Sequence, residues 1–171
     1  YKIKDSNLRI DLIVTLAITE QILNNPKAAI HLLENEYNTF DGKDFLDSDI
    51  LDIVNKLASA YFDNGDVEKS LELNMLAKEK ISFAYSQEPD KWADNYVTSS
   101  LNIAVDYQAL GDTNAAIDLN KKTLEILSAL YEVDSEKWRE RYLTSLLNTA
   151  ADYSRINEVN LSLELNQKAL D

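Results

Sequence analysis

Residues 91–125, KWADNYVTSSLNIAVDYQALGDTNAAIDLNKKTLE, align without a gap to residues 137–171, KWRERYLTSLLNTAADYSRINEVNLSLELNQKALD, at a shift of 46. Trp92/Trp138, Tyr96/Tyr142, Thr98/Thr144, Leu101/Leu147, Asn102/Asn148, Ala104/Ala150, Asp106/Asp152 and Tyr107/Tyr153 are identical pairs, as are Leu119/Leu165 and Asn120/Asn166. The same shift upstream places Ala58, Tyr61, Gly65, Asp66, Leu73 and Asn74 opposite Ala104, Tyr107, Gly111, Asp112, Leu119 and Asn120. A fourth, more diverged copy begins the chain 41 residues earlier, with Leu16-Ala17 opposite Leu57-Ala58 and Asn24-Asn25-Pro26 at the turn. Repetition at such a period marks an architecture of stacked units rather than one globular core.

Each copy reads as two helices. Tyr96, Ser100, Ile103, Ala104 and Tyr107 fall on one helical face, and Ala116, Leu119, Thr123, Leu127 and Leu130 on another. Leu110-Gly111 ends the first helix, since glycine takes the left-handed cap conformation, and Asp112 starts the second. Pro89 ends one helix and Asp134 or Ser135 caps a later one. The expected helices span about 4–23, 26–40, 47–63, 66–87, 90–110, 113–133, 136–156 and 158–171. Ala58, Ala104 and Ala150, with Ser70, Ala116 and Ser162 opposite them, let the helices of a hairpin approach closely. Tyr61, Tyr107 and Tyr153 are expected to fill the gap toward the following repeat. One hairpin cannot bury its apolar stripe alone, so neighbours must stack.

Composition narrows the classes further. In 171 residues there are 3 glycines and 2 prolines, too few for the tight turns of an all-β domain. No apolar run is long enough to span a membrane. With 0 cysteines, disulfide frameworks, thiolate zinc sites and thiol catalysis are excluded. The net charge of −13 opposes nucleic-acid binding and favours basic partners.

The string Leu57-Ala58-Tyr61-Gly65-Asp66-Ser70-Ala77, repeated as Ile103-Ala104-Tyr107-Gly111-Asp112-Ala116-Thr123 and Thr149-Ala150-Tyr153-Asn157-Glu158-Ser162-Ala169, resembles the tetratricopeptide repeat. The usual period of that family is about 34, so the spacing of 46 here resembles its longer, kinesin-light-chain-like relatives. The chain departs from the pattern at Asn74, Asn120 and Asn166, where an aromatic is usual, and at Asn157, which replaces the turn glycine. The resemblance implies an all-α, antiparallel helix-hairpin solenoid, a right-handed superhelix of about four helix pairs. Residues 1–171 are then one repeat domain (repeats 4–40, 47–87, 90–133 and 136–171), expected to be a fragment of a longer protein.

In that family the first helices line a concave wall that binds peptides. Carried over, the peptide-binding positions are Asn55, Lys56 and Ser59, then Thr98, Leu101, Asn102, Val105 and Gln108, then Thr144, Leu147, Asn148 and Arg155. Asp52, Phe62 and Ala151 flank them, and Asp11, Val14, Thr15 and Ile18 extend the wall into the first copy. Asn102 and Asn148 stand out, because an amide both donates to and accepts from a peptide unit; the competing reading is that they bridge neighbouring helices. A clamp for a terminal carboxylate is not supported, since Thr144 and Leu147 occupy positions where it needs cations. Trp92 and Trp138 read as packing between repeats, with an exposed binding rim as the alternative. Asn74, Asn120 and Asn166 read as buried, each hydrogen-bonded to a backbone carbonyl or the tyrosine hydroxyl of a neighbouring repeat, with plain exposure as the alternative.

His31 has no histidine or cysteine companion and reads as a helix-surface or core-edge residue. Asp44, Asp47, Asp49 and Asp52 lack the spacing of a calcium loop and suit helix starts. No cofactor or metal is expected. The expected function is a non-catalytic scaffold that binds a protein or peptide, basic or amphipathic, on the concave face, with no nucleic acid and no membrane insertion. Two alternatives share the fold: a spacer that self-associates through its terminal repeats, and a receptor for a short signalling peptide. The cytoplasm is the expected compartment, with an extracytoplasmic one left open.

Overall fold

A computed structural model describes residues 6–40 and 48–170. Eight α-helices run through these described residues: α1 (Ser6–Ile22), α2 (Pro26–Tyr37), α3 (Ser48–Asp63), α4 (Val67–Gln87), α5 (Pro89–Ala109), α6 (Thr113–Val133), α7 (Ser135–Arg155) and α8 (Val159–Leu170). The expected helix limits at residues 4, 47 and 171, and Asp44 and Asp47 of the acidic run, lie outside the described residues. The chain divides into two compact units, Tyr1–Ser99 and Ser100–Asp171, with the boundary inside α5.

The turns inside the hairpins share one backbone solution. Asn24, Gly65, Gly111 and Asn157 have φ of 58, 86, 83 and 63°. After each, the next amide reaches back over the helix end: Asn25 N to Glu20 O at 2.8 Å, Asp66 N to Tyr61 O at 2.9 Å, Asp112 N to Tyr107 O and Glu158 N to Tyr153 O at 2.8 Å. This is the Schellman closure, which needs a left-handed residue and satisfies carbonyls the helix leaves open. Its recurrence at the spacings read from the sequence establishes the repeat register.

Local chemistry sets the helix limits. Asp112 accepts a hydrogen bond from Ala115 N at 3.1 Å, and Asp134 from Lys137 N at 3.0 Å. Pro89 does more than end α4: it is the first residue of α5, where its missing N–H is not required. The helix expected over 26–40 stops at Tyr37 and tightens into a 3₁₀ turn, Asn38–Phe40. There Thr39 Oγ1 donates to Glu36 O at 2.8 Å, a local alternative to continuing the ladder.

In the first unit α1 and α2 pair and α3 packs on both. Ile10, Val14, Ala17, Ala29, Ile30 and Leu33 meet Ile53, Leu57, Ala60 and Tyr61 in one buried cluster. A second cluster joins Ile50, Leu51 and Val54 to Ala77 and Ile81, with Trp92 and Tyr96 packed against it. In the second unit α7 packs between α6 and α8. Ala58, Ala104, Ala150, Ser70, Ala116 and Ser162 are all buried, as close approach of the hairpin helices requires. The turns added by the long period are closed by aromatic stacks: Tyr85 on Tyr96 at 4.6 Å and Tyr131 on Tyr142 at 4.7 Å, the same pair one repeat apart. Each stack contributes about 0.5–1.5 kcal/mol beyond its burial.

Tyr61 points the other way from the expectation. It packs against the preceding repeat, where its hydroxyl donates to Glu34, and Lys69 lies over its ring. Tyr153 likewise lines a groove of about 310 Å³ with Leu124 and Ser128 of the preceding second helix, α6. The ring leaves the first helix on the side that meets the earlier hairpin. Burial, then the bond to the Glu34 carboxylate, pushes the Tyr61 phenol up from 10.0 to about 12.

Two outcomes follow from these contacts. Gly111→Ala forces a Cβ onto a left-handed residue, though nothing lies within 4 Å of it. The loss is therefore backbone strain alone, about 1–2 kcal/mol by urea unfolding, while Asn157→Gly is neutral or stabilising. The second concerns alkali. Because the folded chain holds the Tyr61 proton more tightly than the unfolded one, this stabilisation is complete below pH 10.0 and is lost as pH rises through about 12. Phenolate absorbance is expected to show one late-titrating tyrosine, absent in Tyr61→Phe.

Candidate functional site

The side chains left outward by packing form a strip along each first helix. On α7 the buried positions are Trp138, Tyr142, Ser145, Leu146, Thr149, Ala150 and Asp152. Lys137, Thr144, Leu147, Ala151 and Arg155 are exposed, with Arg141 and Asn148 half-buried between them. Lys137, Arg141, Thr144, Asn148, Ala151 and Arg155 recur three or four residues apart and so share one face, with Leu147 at its edge.

In the second unit this strip lies beside that of α5. Leu101 and Thr144, both expected on the wall, line one hollow of about 330 Å³ together with Lys137, Glu140 and Arg141. Those last three were missed by the sequence reading. They lie one and two turns before Thr144, in the helix length that the long period adds. Following the three-to-four spacing toward the start of α7 would have found them.

Farther along, the two strips are tied through a buried carboxylate. Asp152 has no solvent exposure. It accepts hydrogen bonds from Gln108 Nε2, from Asn120 Nδ2 at 2.7 Å and from Arg155 Nη1 at 2.9 Å. Two expected wall residues, Gln108 and Arg155, are thus already engaged. Asn120 is buried as expected, but its partner is the carboxylate of the next first helix rather than a carbonyl or tyrosine. Asn74 is also buried, with its Nδ2 3.3 Å from Ser70 Oγ. Asn166 corrects the expectation: it is exposed, because no helix among the described residues lies over that face of α8.

Asn102 and Asn148 are half-buried, and among the described residues no hydrogen bond engages either amide. Val105 and Leu147 are exposed apolar neighbours, 40 and 52% accessible. In the first unit Lys56 is half-buried and Ser59 exposed. Gln21 of α1 donates to Ser59 Oγ at 3.1 Å and to Asp63 at 2.6 Å, so here too neighbouring first helices meet through the strip. Asn55 Oδ1 is buried without a hydrogen-bond partner among the described residues, so that atom is turned away from any ligand. Thr98 is half-buried.

Several expectations change or sharpen. Val14 is not on the wall; it lies in the core under α3. Trp138 is buried, and Trp92 packs against the α3–α4 cluster, as inter-repeat packing requires. His31 is exposed and within 3.2 Å of Asn35. Among the described residues no group of three or more histidine, cysteine or carboxylate side chains is placed to hold a metal ion, and no helix is long and apolar enough to cross a membrane.

Comparison with known proteins bears on the fold. The sequence model of the tetratricopeptide repeat family matches residues 97–135. No curated protein matches the sequence. A kinesin light chain of nearly identical TPR-like repeats from Podosopora anserina is similar in structure, with a TM-score of 0.77 at 22% identity over 94% of this chain and 73% of that one. MamA gives 0.59 at 16% identity over 94% and 76%. BtubC (BKLC) from P. vanneervenii gives 0.56 at 16% identity over 96% and 81%. These likenesses show an all-α fold of helix hairpins like that of tetratricopeptide repeats, as the sequence resemblance implied.

The Asp152 network gives a measurable ranking. Asp152→Ala strands the Asn120 amide in the interior and is expected to cost about 2–4 kcal/mol in urea unfolding. Arg155→Ala removes a half-exposed partner and costs about 0–1 kcal/mol. Equal losses would show that the carboxylate does not organise this region.

Proposed function

We propose that the chain is a non-catalytic binding module for another protein, taking an extended or helical peptide on the outward strips of its first helices. The observation that carries the reading is the pair Asn102 and Asn148. Both amides are half-buried on adjacent strips of one unit, unengaged by hydrogen bonds among the described residues, and flanked by exposed Val105 and Leu147. Apolar contact interrupted by a few fixed polar groups is the usual make-up of a peptide groove. The first unit offers a smaller counterpart in Lys56 and Ser59. Leu101 and Thr144 complete the contact positions of that unit, Thr98 joins Lys56 and Ser59 in the first, and Gln108 and Arg155 act through their bonds to Asp152.

Electrostatics gives the ligand a polarity. The chain charge of −13 steers basic or amphipathic segments toward it. The hollow beside Leu101 opposes that field locally, because Lys137 and Arg141 outnumber Glu140 there. An amphipathic segment with one acidic group over that hollow fits best. The fold similarity to kinesin-light-chain-type repeats supports a scaffold reading, and the absence of any membrane-length helix among the described residues is compatible with it.

The test uses a peptide selected on the immobilised chain from a displayed random library. Asn102→Ala combined with Asn148→Ala is expected to weaken its binding about tenfold by titration calorimetry, each amide bond contributing about 0.5–1.5 kcal/mol. Far-ultraviolet circular dichroism stays unchanged. Equal affinity for the double variant and the wild type would remove the amides from the site.

A further inference from the structure

The outward side of α4 carries large apolar side chains that packing does not use. The buried residues of this helix are Ser70, Asn74, Ala77, Ile81 and Ala84. Opposite them, at three- and four-residue steps, run Glu68, Glu72, Met75, Glu79 and Phe83, all exposed. Met75 is 49% accessible and Phe83 72%. They stand a little over two turns apart, about 12 Å along the helix, with Glu79 between them.

The following second helix shows what the repeat requires at these positions. At the shift of 46, Glu72 and Glu79 become Asp118 and Glu125, whereas Met75 and Phe83 become Lys121 and Ala129. All four of these α6 residues are exposed. The outward position is thus common to both helices and the acids recur, but the two large apolar groups belong to α4. A stack that accepts Lys121 and Ala129 there has no need of Met75 and Phe83, and leaving them in water is unfavourable.

We propose that this strip docks a basic amphipathic helix of another protein, at a site separate from the strips of the first helices. An apolar residue of that helix seats between Met75 and Phe83, and its lysines or arginines pair with Glu72 and Glu79. Charge selects this occupant. Carboxylates in line repel the anionic headgroups of a membrane surface, and they equally repel the same strip of a second copy. Glu68 and Glu72 make no ion pair or side-chain hydrogen bond among the described residues. Glu79 meets its exposed neighbour Lys80 at 3.3 Å, a pair too solvated to hold the carboxylate from a better cation. Phe83 is the anchor: an aromatic ring that a partner desolvates, bordered by polar groups, is the make-up of an interface hot spot.

The probe is a synthetic helix of about four turns with leucines along one face and lysines on both borders. A shuffled peptide of the same composition and a version with glutamate for every lysine are the controls. Fluorescence anisotropy is expected to show binding of the probe and of neither control. Phe83→Ala, which copies α6, weakens it about tenfold, and Met75→Lys, which also copies α6, weakens it in the same direction. Glu72→Gln with Glu79→Gln weakens it and flattens its salt dependence. Because the ring is exposed, Phe83→Ala leaves circular dichroism and urea unfolding unchanged; a loss of stability would show that the ring packs and would overturn the proposal. A probe that does not bind overturns it too, as does equal binding of the shuffled peptide or an affinity that neither Phe83→Ala nor Met75→Lys alters. The peptide selected for the first-helix strips keeps its affinity for Phe83→Ala, so failure here is distinct from failure there; a matching loss would merge the two sites and remove this one.

Discussion

A helix hairpin has two long sides and can cover only one of them with its own partner helix. Everything else in this molecule follows from how the other side is buried. The first unit shows the arithmetic: Ile10, Val14, Ile30 and Leu33 of α1 and α2 are buried in one cluster with Ile53, Leu57 and Tyr61 of α3. At about 25 cal/mol per Å² of apolar surface removed from water, such a joint outweighs the caps and turns that position it. The turns still matter, because a left-handed residue closes each first helix and starts the chain back along it. Similar turns and small residues at the helix crossings recur from hairpin to hairpin, which is what a stacked repeat requires.

The joints are not chemically uniform. Leu33 makes the first one apolar, whereas its counterpart in the second unit, Asn120, donates to the buried Asp152 carboxylate. An apolar joint tolerates sliding; a carboxylate with three donors around it does not, because each donor left unpaired in the interior carries its own penalty. The ion pair with Arg155 adds little by itself, since the guanidinium stays half in water. The cost of burying the charge is offset chiefly by the amide donors Asn120 and Gln108.

How much of this was legible in the sequence depended on whether one residue or two carried the feature. Glycine or asparagine at the turns, alanine and serine at the crossings, and Asp112 and Asp134 at the caps act through their own backbone or their own size, so position alone disclosed them. The Tyr85–Tyr96 and Tyr131–Tyr142 stacks need the relative rotation of two helices, which a repeat period does not contain. The side on which Tyr61 leaves α3 has the same origin, and so does the partner of Asn120. The candidate wall fell between these cases. Its periodicity singled out Thr144, which is exposed, and Asn148, which is half-buried, yet the hollow at Thr144 also draws on Arg141 and Lys137 one and two turns earlier.

Those added turns also separate two duties that a shorter repeat would merge. Near the ends of α5 and α7 the outward residues are drawn into the packing: Gln108 and Arg155 hold Asp152 and stabilise the joint. Near its start the strip is released from that work, because the Tyr131–Tyr142 stack and buried Trp138 already close the helices there. Side chains above that aromatic floor can change without disturbing the core. Lys137 illustrates the arrangement, with its ammonium 4.8 Å from the Trp138 ring it covers and its charge facing the hollow. A ligand contacting the strip at both ends would therefore meet two kinds of surface. One is set by what the repeats need in order to stack; the other is free to be set by what the ligand offers.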